Sequence, residues 1–176
     1  MAIERPLAWL AELLRELRLP YAVIGAHAVN AWLEPRFTAD IDVTIELTAG
    51  TSRELSAAFE RAGLAQTRLH GAGAPSGPDF IRFSSADRQV TVEFQAAKTE
   101  FQHEVVRRAL IRADGLRVAT ASDLIVLKLI ANRPKDQNDL LGLLALPTID
   151  WPYVERWANE WDVRGLLDGL RARARA

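Results

Sequence analysis

Two aspartates, Asp40 and Asp42, stand two positions apart at the start of a strongly alternating segment. Ile41, Val43, Ile45 and Leu47 fall on one face of a period-2 strand, and Asp40, Asp42, Thr44 and Glu46 on the other. On a strand, positions i and i+2 lie about 6 to 7 Å apart along the backbone, so two aspartate side chains can lean together on one hard divalent cation. The implied chemistry is metal-assisted, with oxygen donors only. A pair this short also arises often by chance, so its meaning depends on what surrounds it.

The surrounding elements can be read from periodicity. Leu7, Leu10, Leu14 and Leu17 recur at helical spacing beside Glu12, Arg15, Glu16 and Arg18, and Pro20 stops that helix. Residues 21–25 read as a short buried strand ending at Gly25, and residues 26–33 as a helix, giving strand, glycine turn and helix N-terminus in series. After the acidic strand, Thr51-Ser-Arg-Glu54 has the pattern of a capping box, opening a helix with Leu55, Ala58, Phe59 and Ala62 inward. Residues 71–78 are a glycine- and proline-rich loop without phosphate-loop order, better suited to a flexible lid or to disorder. Residues 79–84 and 89–95 flank a turn-like stretch at 84–88 and suggest a β-hairpin. From about Thr99 the chain reads as mainly helical, with a short strand near 116–118 and a very apolar helix over 122–131. The expected architecture is α/β (α+β), a mixed sheet flanked by helices, with a domain over 1–146 and a helical C-terminal extension over 147–176 packed on it.

Composition narrows the function classes. With 176 residues, 49% of them hydrophobic, the chain suits one well-buried domain with an appendage. Its 22 basic and 23 acidic residues nearly cancel, and a pI near 6.3 gives no extended DNA-binding surface. Any RNA contact would have to be local; Arg107, Arg108 and Arg112, with Arg164, Arg171, Arg173 and Arg175, are candidates whose default is a solvated helix face. The absence of cysteine removes disulfide frameworks and thiolate chemistry and fits a reducing interior. Glu4 and Glu12 in the first helix are unlike a signal peptide, and the apolar runs are too short for a membrane span, so a soluble cytoplasmic protein is expected.

Lys128 makes a separate point. Three of the 22 basic residues are lysines, leaving nineteen arginines, and Lys128 sits within Leu124-Ile-Val-Leu-Lys128-Leu-Ile-Ala131, apolar on almost every side. Such an ammonium must snorkel outward or enter a polar cleft. Asp136 and Asp139, at i and i+3, would share one side of the next helix's first turn, either compensating its dipole or serving a site. Trp151, Trp157 and Trp161 recur at helical spacing and read as core. His70 and His103 have no ligand spacing and read as surface residues.

Taken in order, Tyr21-Ala-Val-Ile-Gly25-Ala-His27-Ala-Val-Asn-Ala-Trp32 followed by Arg36-x-Thr38-x-Asp40-Ile-Asp42 resembles the small nucleotidyltransferases of the DNA polymerase beta superfamily. Within that superfamily the chain looks most like the abortive-infection (AbiEii-like) group, found as toxins of toxin–antitoxin pairs. The resemblance runs from about residue 19 to 146. It implies a nucleotidyltransferase-type sheet on which Asp40, Asp42 and a third carboxylate, Glu93, bind two Mg2+ ions. It further implies that Gly25, Ala26, His27, Arg36, Thr38 and Lys128 handle an NTP such as ATP, and that Lys128 and Asp136 belong to the catalytic set. The implied reaction is transfer of a nucleoside monophosphate from the NTP to an acceptor hydroxyl, on a tRNA end or a protein, with a cognate antitoxin as partner. Two departures stand out: Ala26 where the family has glycine or serine, and Glu93 where it more often has aspartate. Aminoglycoside and lincosamide nucleotidyltransferases share the Asp-x-Asp logic and supply an alternative acceptor. A degenerate nucleotide-binding module that releases no pyrophosphate is the non-enzymatic alternative.

Overall fold

The computed structural model describes residues 5–85 and 89–174. Glu4, the tip of the expected hairpin at 86–88 and Arg175 lie outside the described residues. The chain divides into two compact units, one made of Met1–His27 with Arg36–Ala119, the other of Ala28–Pro35 with Thr120–Ala176.

The first unit is built on a seven-stranded mixed sheet. Its strands are β1 (Tyr21–Ile24), β2 (Asp40–Ile45), β3 (Ala65–His70), β4 (Phe80–Ser85), β5 (Val90–Ala96), β6 (Leu110–Ile111) and β7 (Arg117–Val118), in the spatial order β3-β4-β5-β2-β1-β7-β6. β2 runs parallel to β5 and antiparallel to β1, and β4 and β5 form the expected antiparallel hairpin. Alternation gives the sheet two unlike faces. Ile41, Val43, Ile81, Phe83, Val92 and Phe94 are buried on one. There α1 (Arg5–Glu16) and α3 (Ala49–Arg61) contribute Trp9 and Phe59, whose ring centroids are 5.5 Å apart. Phe59 meets Phe83 at 4.5 Å and Phe94 edge-on at 5.2 Å, so one aromatic cluster holds α1, α3, β4 and β5.

The other face carries Asp40, Asp42, Thr44, Arg82, Ser84, Thr91, Glu93 and Gln95. It is closed at one end. Thr44 is buried, α4 (Glu100–Arg108) packs on β1 and β2, and His103 Nδ1 lies 2.7 Å from Glu46 Oε1.

Several expectations are corrected by local detail. The helix expected over 26–33 is only Gly25–Val29, α2, after which Ala31 and Trp32 donate to carbonyls three residues back and tighten into turns. The capping box of α3 is centred on Thr48 rather than Thr51: Thr48 is extended and its hydroxyl accepts from the Thr51 amide, so Thr51 is already the third helical residue. β3 is a strand where none was expected, because all six of its residues are exposed and the chain shows no alternation there. The loop after it is pinned, not lid-like, since Lys98 Nζ donates to Ser76 O at 3.1 Å, Ser76 Oγ at 2.9 Å and Gly77 O at 3.1 Å. His103 is tied to Glu46 rather than lying loose on the surface.

The second unit contains α5 (Ala121–Ala131), α6 (Asp136–Leu144), α7 (Trp151–Glu160) and α8 (Arg164–Ala174). α5, apolar almost all round, is the centre of this unit, as such a helix must be. Thr120 and Asp123 form its capping box, and the Tyr153 hydroxyl of α7 donates to Asp123 Oδ1 at 2.6 Å. The boundary expected at 146/147 falls inside this unit, where α7 packs on α5 and α8 packs on α6 and α7. Trp157 is fully buried, as expected of core, whereas Trp161 is 39% exposed. Trp151 is half-buried with the Arg171 guanidinium 4.1 Å from its ring centroid. Among the described residues, no helix is long and apolar enough to cross a membrane.

Candidate active site

Strand register assembles the acidic residues. Asp42 is paired across β2 and β5 with Glu93, and Asp40 with Thr91, so three carboxylates share one face of two neighbouring strands. Adjacent strands lie about 4.8 Å apart, which brings the Asp42 and Glu93 side chains within reach of one another. On the other flank Ile24 pairs with Asp42, which places the Gly25 turn directly beside that aspartate.

Gly25 is required there on two counts. Its φ is +64°, and a Cβ built on it would lie 2.0 Å from Asp42 Oδ2. The carboxylate therefore packs against the bare Cα of the turn, an approach that a side chain at position 25 would forbid. Ala26 follows, half-buried, as the second residue of the five-residue helix that Gly25 opens, long enough to present free backbone N–H groups but too short for much of a dipole. His27 is buried. Burial lowers its pKa and the Asp40 charge partly offsets this, leaving the ring neutral near pH 7. Thr38 donates its hydroxyl to the Asp40 carbonyl at 3.5 Å and so shapes the entry to β2, while Arg36 is exposed.

Glu93 faces the polar side as its alternation requires, but it has a partner that sequence alone did not disclose. Arg82, its register neighbour on β4, donates through Nη2 to Glu93 Oε1 in a short ion pair. The donor set is hard oxygen throughout and suits Mg2+ in type and in register. As the side chains stand, however, no three His, Asp or Glu groups among the described residues are gathered at metal-binding distance. Arg82, Ser84 and Thr91 are the residues of this face that motif reading missed; the alternation of β4 and β5 marks them as polar-facing, but only register places them beside the aspartates.

Lys128 and Asp136 come together in the second unit, with Asp139. Lys128 is 5% exposed, so it does not snorkel; its ammonium donates to Asp136 Oδ1 and to Asp139 Oδ2, each at 2.8 Å. Arg133 Nε adds a bond to Asp136 Oδ2 at 2.7 Å. Burial on its own would raise the Asp136 carboxyl, but the hydrogen bonds from Arg133 and Lys128 and their charges outweigh it and hold the pKa below the ordinary carboxylate value. The polar cleft that a buried lysine needs is thus supplied by the aspartate pair itself.

The arginines weighed as a local RNA patch are largely paired. Arg107 bonds to Glu104, Arg112 lies 3.5 Å from Asp114, Arg164 engages Asp168 and Glu155, and Arg171 bonds to Glu155. An open cavity of about 480 Å³ lies against α3 and the apolar side of β3 and β4, lined by Ser52, Ser56, Gln66, Leu69 and Ile81, and includes none of the carboxylates.

Solved structures share this fold at low sequence identity. An antigenic nucleotidyltransferase-like protein from Paracoccidioides brasiliensis matches with a TM-score of 0.56 and 15% identity, over 96% of this chain and 91% of that one. The lincomycin-bound lincosamide antibiotic adenylyltransferase LnuA gives a TM-score of 0.53 and 10% identity, over 78% and 93%. The antibiotic-resistance factor ANT(2'')-Ia in solution gives 0.51 and 16%, over 99% and 90%. No curated protein sequence matches the chain. A family profile does match, over residues 8–168, and the chain therefore belongs to the family described as nucleotidyltransferase of unknown function (DUF6036).

Proposed function

We propose that this protein transfers a nucleoside monophosphate from an NTP to an acceptor hydroxyl, releasing pyrophosphate. The observation that carries the reading is the pairing of Asp42 with Glu93 in register while the Asp42 carboxylate rests against the Gly25 turn. Asp40 and Asp42 would hold Mg2+, with Glu93 completing the donor set once it parts from Arg82. When bound, Mg2+ supplies charge neutralisation for the attacking and leaving oxygens of an in-line displacement. Glu93 is also the group on this face suited to accept the proton of the attacking hydroxyl. The backbone N–H groups at Gly25 and Ala26, with His27 next in the same turn, would receive the triphosphate, and Arg36 and Thr38 would border it.

Lys128, within the second unit, is read as a positioning group for Asp136 and Asp139, since its donors are directed at those two carboxylates. The resemblance of the Gly25-to-Asp42 segment to AbiEii-like proteins supports a toxin acting on tRNA or protein in the cytoplasm, with an antitoxin as partner. The test is incubation with each α-labelled NTP and Mg2+, offering total RNA, mixed protein and an aminoglycoside panel in separate reactions. The expected result is label on one acceptor, abolished by Asp40→Asn and Asp42→Asn. Label transfer unchanged in both variants would refute the site, and saturation by a drug alone would redirect the function to antibiotic modification.

A further inference from the structure

The row of side chains that contains Asp42 and Glu93 does not end at β5. Register continues it to Arg82 on β4 and to Arg68 on β3, so one line across the sheet reads Arg68, Arg82, Glu93, Asp42 and then the Gly25 turn. With about 4.8 Å between strands, Arg68 stands about 14 Å from Asp42 at the backbone. The flanking rows are as ordered. On one side Thr67 and Ser84 hydroxyls lie 3.5 Å apart and Ser84 and Thr91 3.4 Å apart, leading to Asp40. On the other, His70 pairs with Phe80.

The two guanidinium groups are held in place by the ring between them. Arg68 Cζ is 5.8 Å and Arg82 Cζ 5.9 Å from the Phe80 centroid, and Arg68 Nε donates to His70 Nε2 at 2.8 Å. Arg68 has no carboxylate partner among the described residues, and β3 is exposed along its whole length. This is a built surface of two planar cations, an aromatic ring and a line of hydroxyls in line with the acidic centre, exposed along β3 and half-buried along the polar side of β4.

We propose, resting on the function proposed above, that the Arg68–Phe80–Arg82 strip is the acceptor subsite and takes a single-stranded nucleic acid, whose phosphates and bases run along β3 and β4 toward Asp42. Guanidinium planes match phosphate in a bidentate manner and offer stacking surfaces to bases, and hydroxyls suit the sugar–phosphate backbone. A polycationic drug would meet two like charges on the same strip. The near-neutral net charge accords with a contact confined to this one face.

The test is fluorescence anisotropy of a short 5'-labelled single-stranded RNA with a free 3' hydroxyl, in EDTA and without NTP, so that binding is read apart from transfer. Arg68→Ala is expected to weaken binding about tenfold and to lessen the slope of log K against log salt by about 0.7. Phe80→Leu is expected to weaken it about fivefold by loosening both guanidiniums, whereas Arg107→Ala, paired with Glu104 outside the strip, leaves it unchanged. Arg68→Ala is an exposed substitution on an edge strand, and its melting temperature, expected to match wild type, separates lost binding from lost folding. Affinity and salt slope unchanged in Arg68→Ala would overturn the proposal, as would equal competition by an acidic peptide. RNA binding that depends on Arg68 without any label transfer would sustain the subsite and count against the transfer reaction instead.

Discussion

Replacing Gly25 with alanine sets two separable costs against each other. The first is conformational: φ of +64° is in the left-handed region, which costs a residue with a Cβ about 1 to 2 kcal/mol. The second is local: the new Cβ would lie 2.0 Å from Asp42 Oδ2, and since real contacts do not fall below 3.0 Å the carboxylate must retreat by about 1 Å. Misplacement on that scale at a reacting centre costs about a hundredfold in rate. The conformational term alone lowers the melting temperature by about 2 to 8 °C in a chain of this size. Gly63→Ala isolates it, because Gly63 has φ of +83° and nothing within 4 Å of its built Cβ. Calorimetry and a pyrophosphate-release assay should therefore show both variants destabilised to a similar degree, with only Gly25→Ala losing turnover. Equal turnover in the two variants, or full turnover in Gly25→Ala, would show that the Asp42 carboxylate does not depend on the glycine beside it.

Further expectations concern the charged groups. Lys128→Met takes the shared ammonium from two buried carboxylates, Asp136 keeping its bond from Arg133, and should lower stability by about 3 kcal/mol in urea denaturation; a loss under about 1 kcal/mol would mean that the ammonium is not their main support. The Asp136 pKa is depressed by folding, so its contribution is present above the unfolded carboxyl value near 3.9 and is lost as pH falls through the lower folded value. Removing Lys128 should move that acid limb upward in a pH-dependent denaturation series. The pKa of His27 is also depressed by folding, so stability should decline as pH falls below about 6.5, and His27→Gln should flatten that part of the curve. Arg82→Ala frees Glu93 of its ion-pair partner and should tighten Mn2+ binding about tenfold by electron paramagnetic resonance; weaker binding would mean that Arg82 orients the carboxylate for the cation.

The acidic strand was legible because one of its faces is core. Ile41, Val43 and Ile45 alternate with Asp40, Asp42 and Thr44, and the buried set fixes which way the carboxylates point. The turn at Gly25 was legible for a related reason, since only glycine sits comfortably at that φ. β3 was not, because an edge strand exposed along its length has no buried set to create a period. The Arg82–Glu93 pair was invisible too: eleven positions separate the two residues, and nothing in either segment announces the register that joins them. Lys128 shows the limit from the other side. Its apolar helix demanded a polar partner or an outward reach, yet that Asp136 and Asp139 supply the partner, in a buried and mutual arrangement, emerges only in three dimensions.

The most direct measurement is anomalous diffraction from crystals of this protein soaked with Mn2+ and a non-hydrolysable NTP analogue. The expected result is a peak bound by Asp40 and Asp42, with the triphosphate against the Gly25–Ala26 backbone and Glu93 turned away from Arg82. Manganese absent from these aspartates while the nucleotide occupies another surface would contradict the assignment of this face as the reaction centre.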